Sequence, residues 1–120
     1  MQKMIVKKPW GTYEVLLDEP NYKVKRIVVH PYERFSLQYH KHREEHWVVV
    51  EGDGIVQVNE KEYPAYVRTH WVILPTQKHR ATAGPRGLVF IETLTGNCYE
   101  EDIVRLEDDY GRLDSSEVSV

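Results

Sequence analysis

Cysteine is nearly absent from this sequence of 120 residues. Cys98 stands alone, so no disulfide can close within the chain, and a reducing, cytoplasmic setting is expected. Long apolar runs are absent too. None exceeds five residues, so no segment is expected to span a membrane, and the opening MQKMIVKKP lacks the apolar stretch of a secretion signal. Basic residues are not in excess: 16 Lys and Arg face 19 Asp and Glu, for a net charge of −3, and they are scattered along the chain. That distribution argues against a nucleic-acid partner. There is no glycine-rich nucleotide loop, internal repeat, low-complexity segment or interdomain linker, and nothing calls for a long helix.

What remains is a chain of short strands divided by turn signals, the pattern of an all-β sandwich or barrel. One domain is expected over residues 1–120, with its core at about 8–112 and a loose tail at 113–120. Strands are predicted over 10–17, 22–30, 55–58, 62–67, 70–74, 79–83 and 88–94. Glu51-Gly52-Asp53-Gly54 reads as a tight turn and Gly84-Pro85-Arg86-Gly87 as a separator. Pro64 is best placed at a sheet edge. The acidic stretch 99–112 reads as an irregular return along the body.

The chemistry concentrates in residues 36–52, SLQYHKHREEHWVVVEG. Ser36, Gln38 and His40 alternate with Phe35, Leu37 and Tyr39 at period 2, so Gln38 and His40 should share a face. After a charged break at 41–44, residues 45–50 read as a second strand. Antiparallel pairing of these two runs would set Glu45 against Gln38 and His40. An oxygen donor, an imidazole and a carboxylate at one point suit a divalent metal; a hydrogen-bonded interior without metal is the alternative. The opposite face, Phe35, Leu37 and Tyr39, needs cover from a second sheet or a second subunit.

Gln38-x-His40, Glu45, Gly52, Pro75 and His79 resemble, in type and spacing, the two motifs of the cupin superfamily. The chain is similar in particular to the C-terminal cupin domain of type II mannose-6-phosphate isomerases, which is often fused to a mannose-1-phosphate guanylyltransferase. KPWGTYEVL, YKVKRIVV, SLQYHKHREEHWVVVEG, KHR and YEEDIVRLEDDYGR follow that domain in order over residues 8–112. The resemblance implies a double-stranded β-helix, or jelly-roll barrel, and a homodimer. It also implies Gln38, His40, Glu45 and His79 as ligands of one divalent ion (Zn, Mn, Co, Ni or Fe). The guanylyltransferase portion has no counterpart, so nucleotidyl transfer is not expected. The sequence departs from the family pattern at Tyr32 and Thr69, each standing where a glycine is usual, at a second motif one residue short (PTQKH), and at Ala83 in place of an asparagine.

The implied activity is a metal-dependent interconversion of mannose 6-phosphate and fructose 6-phosphate through an enediolate, in which a base carries a proton between C1 and C2. Candidate proton carriers are Glu92 and His46, with His42 also in reach. Arg43, Lys78, Arg80 and Arg112 are candidate phosphate anchors, with Arg112 singled out by its DDYGR context. His30 and His70 read as ordinary strand histidines. Competing readings are a non-catalytic sugar-binding or regulatory cupin, and another cupin enzyme such as an epimerase or dioxygenase.

Overall fold

The computed structural model describes residues 4–99 and 101–113, and every regular element among them is a strand. In chain order these are β1 (Met4–Lys8), β2 (Gly11–Asp18), β3 (Tyr22–Val29), β4 (Leu37–Tyr39), β5 (Arg43–Val58), β6 (Lys61–Tyr66), β7 (His70–Ile73), β8 (His79–Gly96) and β9 (Val104–Glu107). Period-2 burial explains them. In β3, Lys25, Ile27 and Val29 turn inward, and in β5 Arg43, Glu45, Trp47 and Val49 do so, while the intervening residues are more exposed.

β5 and β8 are the frame. The second half of β8 pairs with β3 on one side and with the first half of β5 on the other. Its first half pairs with the second half of β5 and, at His79, with Gln38 of β4. Because both long strands bend and stay paired, the antiparallel sheet curls on itself. β1 and β2 extend it beyond β3, β6 and β7 flank β5, and β9 closes on β4. The interior holds Trp10, Ile27, Phe35, Trp47, Val56, Ile73, Leu88 and Phe90.

Several expectations are corrected. Glu51–Gly54 is not a turn and 84–87 is not a separator: both lie inside the bent β5 and β8, where a bulge re-registers the pair. Gly52 and Gly87 serve a close crossing there, since a Cβ on Gly52 would sit 2.0 Å from the Gly87 carbonyl oxygen. β4 does not pair with β5, so Glu45 meets His40 across the curl of the sheet and not along a hairpin. Phe35 and Leu37 are buried, and Phe35 packs edge-on against Trp10 and Trp47, so this face is core and not an outer surface. The return segment contains the short strand β9, and β1 was not anticipated. The hairpin of β5 and β6 through Asn59 and Glu60 is as expected, with Pro64 on a strand that pairs only with β5. Of the expected loose tail, residues 114–120 lie outside the described residues.

Candidate metal centre and its cavity

His40, at the end of β4, Glu45 of β5 and His79, which opens β8, converge in the interior. One ligand atom from each lies within 4.8 Å of the others, and all three residues are buried. His40 Nε2 is 3.1 Å from Glu45 Oε2, and His79 Nε2 is 3.8 Å from Glu45 Oε1. The outer nitrogens fix the tautomers. His40 Nδ1 faces the Asp102 carbonyl and His79 Nδ1 faces the Gln77 carbonyl at 2.9 Å; a carbonyl can only accept, so both Nδ1 atoms carry the proton. Each Nε2 faces inward beside Glu45 and is the nitrogen through which the histidine would bind a metal.

His79 reaches the centre despite its shortened motif. Thr76 takes the left-handed conformation, φ 71°, that a glycine would adopt more easily, and its N–H donates to the His40 carbonyl at 2.7 Å. Tyr32, in the other glycine position, is likewise left-handed at φ 64°, whereas near Thr69 the positive φ falls on Arg68.

Whether a divalent ion fits is answered by the donors. His79 Nε2 is buried without a hydrogen-bond partner in the structure, and two neutral imidazoles with a carboxylate match a borderline N/O metal set. Gln38 stands beside them: its Oε1 accepts from the Ser36 hydroxyl at 2.6 Å and its amide nitrogen is 3.4 Å from His40 Nε2. Arg43 is the complication. Its Nε donates to Glu45 Oε2 at 2.9 Å and its Nη2 to His40 Nε2 at 3.0 Å, so an ion on His40 must exchange with that bond.

Electrostatics separate the two carboxyls. Burial works against the charge on Glu45, but the imidazoles and Arg43 overcome it and hold Glu45 well below the ordinary carboxylate range. His79 is itself pushed down to about 4 by burial, against the pull of Glu45. It is therefore neutral near pH 7, which leaves Arg43 as the permanent positive charge on Glu45. Glu92 is moved the other way, well above its ordinary value, by burial and by Glu45. The Trp47 indole N–H bridges them, donating to Glu45 at 2.9 Å and to Glu92 at 3.1 Å.

These groups border a cavity of about 670 Å³ counting its open mouth. Trp10, Tyr13, Phe35, Trp47 and Phe90 supply aromatic walls, and Lys8, Lys25, Arg43, Arg105 and Arg112 supply five cations against the single acid Glu92. Lys25 and Arg43 are buried, whereas Lys8, Arg105 and Arg112 are half-buried. Arg112 is held in a fork by Asp108, at 2.9 and 2.8 Å.

Of the residues anticipated from the sequence, Gln38, His40, Arg43, Glu45, His79, Glu92 and Arg112 are brought together here. The others are not. His46 has the opposite parity to Glu45, projects from the outer face and pairs with Glu44 at 2.7 Å, so the proton-carrier role expected for it has no geometric basis. His42 is exposed. Lys78 pairs with Glu60 on the surface, and Arg80 is buried elsewhere, donating to the Phe35 carbonyl and to Glu107. Neither borders the cavity, so neither can anchor a ligand in it. Lys8, Lys25 and Arg105 escaped the sequence reading. A signal existed for Lys25, a charge at the inward parity of Ile27 and Val29; for Arg105 there was none, since its place depends on β9 pairing with β4.

Comparison with known proteins was made on sequence and on fold. The model of the family described as Mannose-6-phosphate isomerase C-terminal matches residues 1–108. A mannose-1-phosphate guanylyltransferase (ManC) of Salmonella typhimurium is 40% identical over 110 residues, covering 90% of this chain and 23% of its own. The alginate biosynthesis protein AlgA of Pseudomonas aeruginosa is 40% identical over 109 residues, covering 89% and 23%. The chain thus spans about a quarter of the length of these curated relatives, 23% in each case. Among solved structures, an RmlC-like cupin from Shewanella frigidimarina superposes with a TM-score of 0.75 at 20% identity, covering 83% of this chain and 89% of that one. The Streptomyces protein PAC13, solved with uridine, gives 0.77 at 17% identity, covering 88% and 86%. The fold is that of the cupins, an all-β jelly-roll barrel.

Proposed function

Because the chain belongs to the family of C-terminal mannose-6-phosphate isomerase domains, we propose that it is an aldose–ketose isomerase that interconverts mannose 6-phosphate and fructose 6-phosphate. The observation that carries this reading is the cavity itself. Five cations line it in a chain of net charge −3, beside a buried His40–Glu45–His79 cluster and the carboxyl of Glu92. Such a lining favours a dianion.

A divalent ion (Zn, Mn, Co, Ni or Fe) held by His40, Glu45 and His79, with Gln38 beside them, would supply stabilisation of negative charge developing on oxygen. The chain's own residues do the rest. Glu92 carries the proton between C1 and C2: as a carboxylate it takes the proton from C2 and returns it to C1, and burial, which raises its proton affinity, makes it a strong base, with Trp47 fixing its carboxyl. Arg105 and Arg112 hold the phosphate at the half-buried rim, and Asp108 keeps Arg112 aimed. Arg43 orients Glu45. The aromatic walls exclude water and stack on the sugar. We place the protein in the cytoplasm, a reading supported by the lone Cys98 and by the biosynthetic relatives.

The test is fructose 6-phosphate formation from mannose 6-phosphate, followed in a coupled assay with each metal on wild type and on His40→Ala, with metal content measured by elemental analysis. Turnover that needs one bound ion per chain and disappears in the variant is the expected result. A metal-loaded wild type that binds the sugar phosphate without turning it over would instead make this a sugar-binding cupin.

A further inference from the structure

We propose that Lys25 is a catalytic residue whose ammonium contacts the C1–C2 oxygens of the sugar phosphate, at the end of the ligand away from its phosphate. The inference rests on the sugar-phosphate reading of the cavity and assigns a group that neither the motif spacing nor the ligand cluster picks out.

The register places it. Lys25 of β3 lies opposite Glu92 of β8, and Glu92 lies opposite Trp47 of β5. The indole of Trp47 in turn reaches Glu45. A row of polar side chains therefore crosses three neighbouring strands on the inward face and ends at the metal-site carboxylate. Two strand spacings separate its ends, about 10 Å between backbones, a distance that side chains converging from both ends can close around C1 and C2.

Depth separates the five cations. Lys8, Arg105 and Arg112 are half-buried at the rim, where a phosphate can keep part of its hydration, whereas Arg43 and Lys25 lie deep, at 5% and 3% exposure. Arg43 is committed to Glu45 and His40. Lys25 is the other deep positive charge, and it stands next to the proton carrier. Tyr13, also in the cavity wall, covers one side of the ammonium, with Nζ 4.3 Å from the ring centroid. The other inward residues of this strand, Ile27 and Val29, are aliphatic, whereas Lys25 brings a charge to the side of Glu92, whose ionised form it favours. Negative charge that develops on O1 and O2 as the proton leaves carbon is what an ammonium at this depth would stabilise.

Two stable ligands separate the possibilities. In 6-phosphomannonate a C1 carboxylate carries a fixed negative charge where the reaction develops one, whereas mannitol 6-phosphate has a neutral alcohol there. Calorimetric titration of wild type and Lys25→Met with both should show the variant losing roughly thirtyfold in affinity for the aldonate but less than about threefold for the alditol, with a parallel loss of turnover. Equal losses on both ligands, or no loss on the aldonate, would overturn the assignment while leaving the isomerase reading to stand on wild-type turnover. A selective loss in a protein without turnover would sustain Lys25 as the sugar-end contact and remove the isomerase. A wild type that binds neither ligand removes both. Should Lys25→Met not fold, Lys25→Gln, which keeps a polar group without the charge, is read by the same comparison.

Discussion

Glu45 and Glu92 are two residues of one type, bridged by one indole, and their surroundings drive them apart. Glu45 has Arg43 against it and is held low, which suits a ligand; Glu92 is raised by burial and by Glu45, which makes it the stronger base of the two and suits a proton carrier. Glu92→Gln keeps the volume and the carbonyl that Trp47 donates to, and removes the carboxylate that takes up and returns the proton. Turnover should therefore fall about 10²- to 10⁴-fold while metal content and thermal midpoint stay near wild type. A variant within threefold of wild-type turnover would show that another group carries the proton.

At the scale of the element, β5 and β8 do two jobs each because neither stops at its glycines. Each contributes one half to the wall around Glu45, Trp47 and Glu92, and their other halves pair with each other on the stretch that begins at His79. The bend between halves is tight enough that Gly52, at φ 80°, lies against the backbone of Gly87. In Gly52→Ala the new methyl meets a carbonyl that cannot step aside, on a backbone conformation that alone is unfavourable by about 1–3 kcal/mol. Urea unfolding should place the variant at least about 2 kcal/mol below wild type. A midpoint unchanged from wild type would mean that the crossing relaxes without strain.

Over the whole molecule, burial is uneven. The outer surface of β7, β5 and β8 is continuous through the registers His46↔Val72, Val48↔His70 and Val48↔Ile91, and it leaves Val48, Val50, Val72 and Leu74 at 39–49% exposure. Arg26 and Glu51, paired at 3.5 Å, provide both signs of charge on this side. An apolar sheet face that carries both signs of charge is suited to meet its own copy across a two-fold axis. Because Phe35 and Leu37 are core, the proposed homodimer would use this face. Sedimentation should give twice the 14.2 kDa chain mass, and Val48→Glu should return a folded monomer. A wild type of 14.2 kDa at micromolar concentration would contradict the dimer.

How much of this was legible in the residues follows from the range of the interactions. Strand parity acts between neighbours, so the inward set of β5 could be read directly, and the motif resemblance pointed to Gln38, His40, Glu45 and His79, which the fold brings together beside the candidate Glu92. Parity also marked His46 as outward, against the role given it. Turn signals misled at Gly52 and Gly87, because a glycine that permits a turn equally permits a bulge and a close crossing, and only the partner strand distinguishes them. Which cations reach the cavity was legible only in part, through Arg43, Arg112 and the inward parity of Lys25. Lys78 and Arg80 flank a ligand and yet point elsewhere, while Lys8, Lys25 and Arg105, far apart in the chain, meet because β1, β2, β3, β8, β4 and β9 are joined edge to edge. A local pattern sets which face of a strand a side chain takes. The pairing of strands distant in the chain decides what that face looks upon.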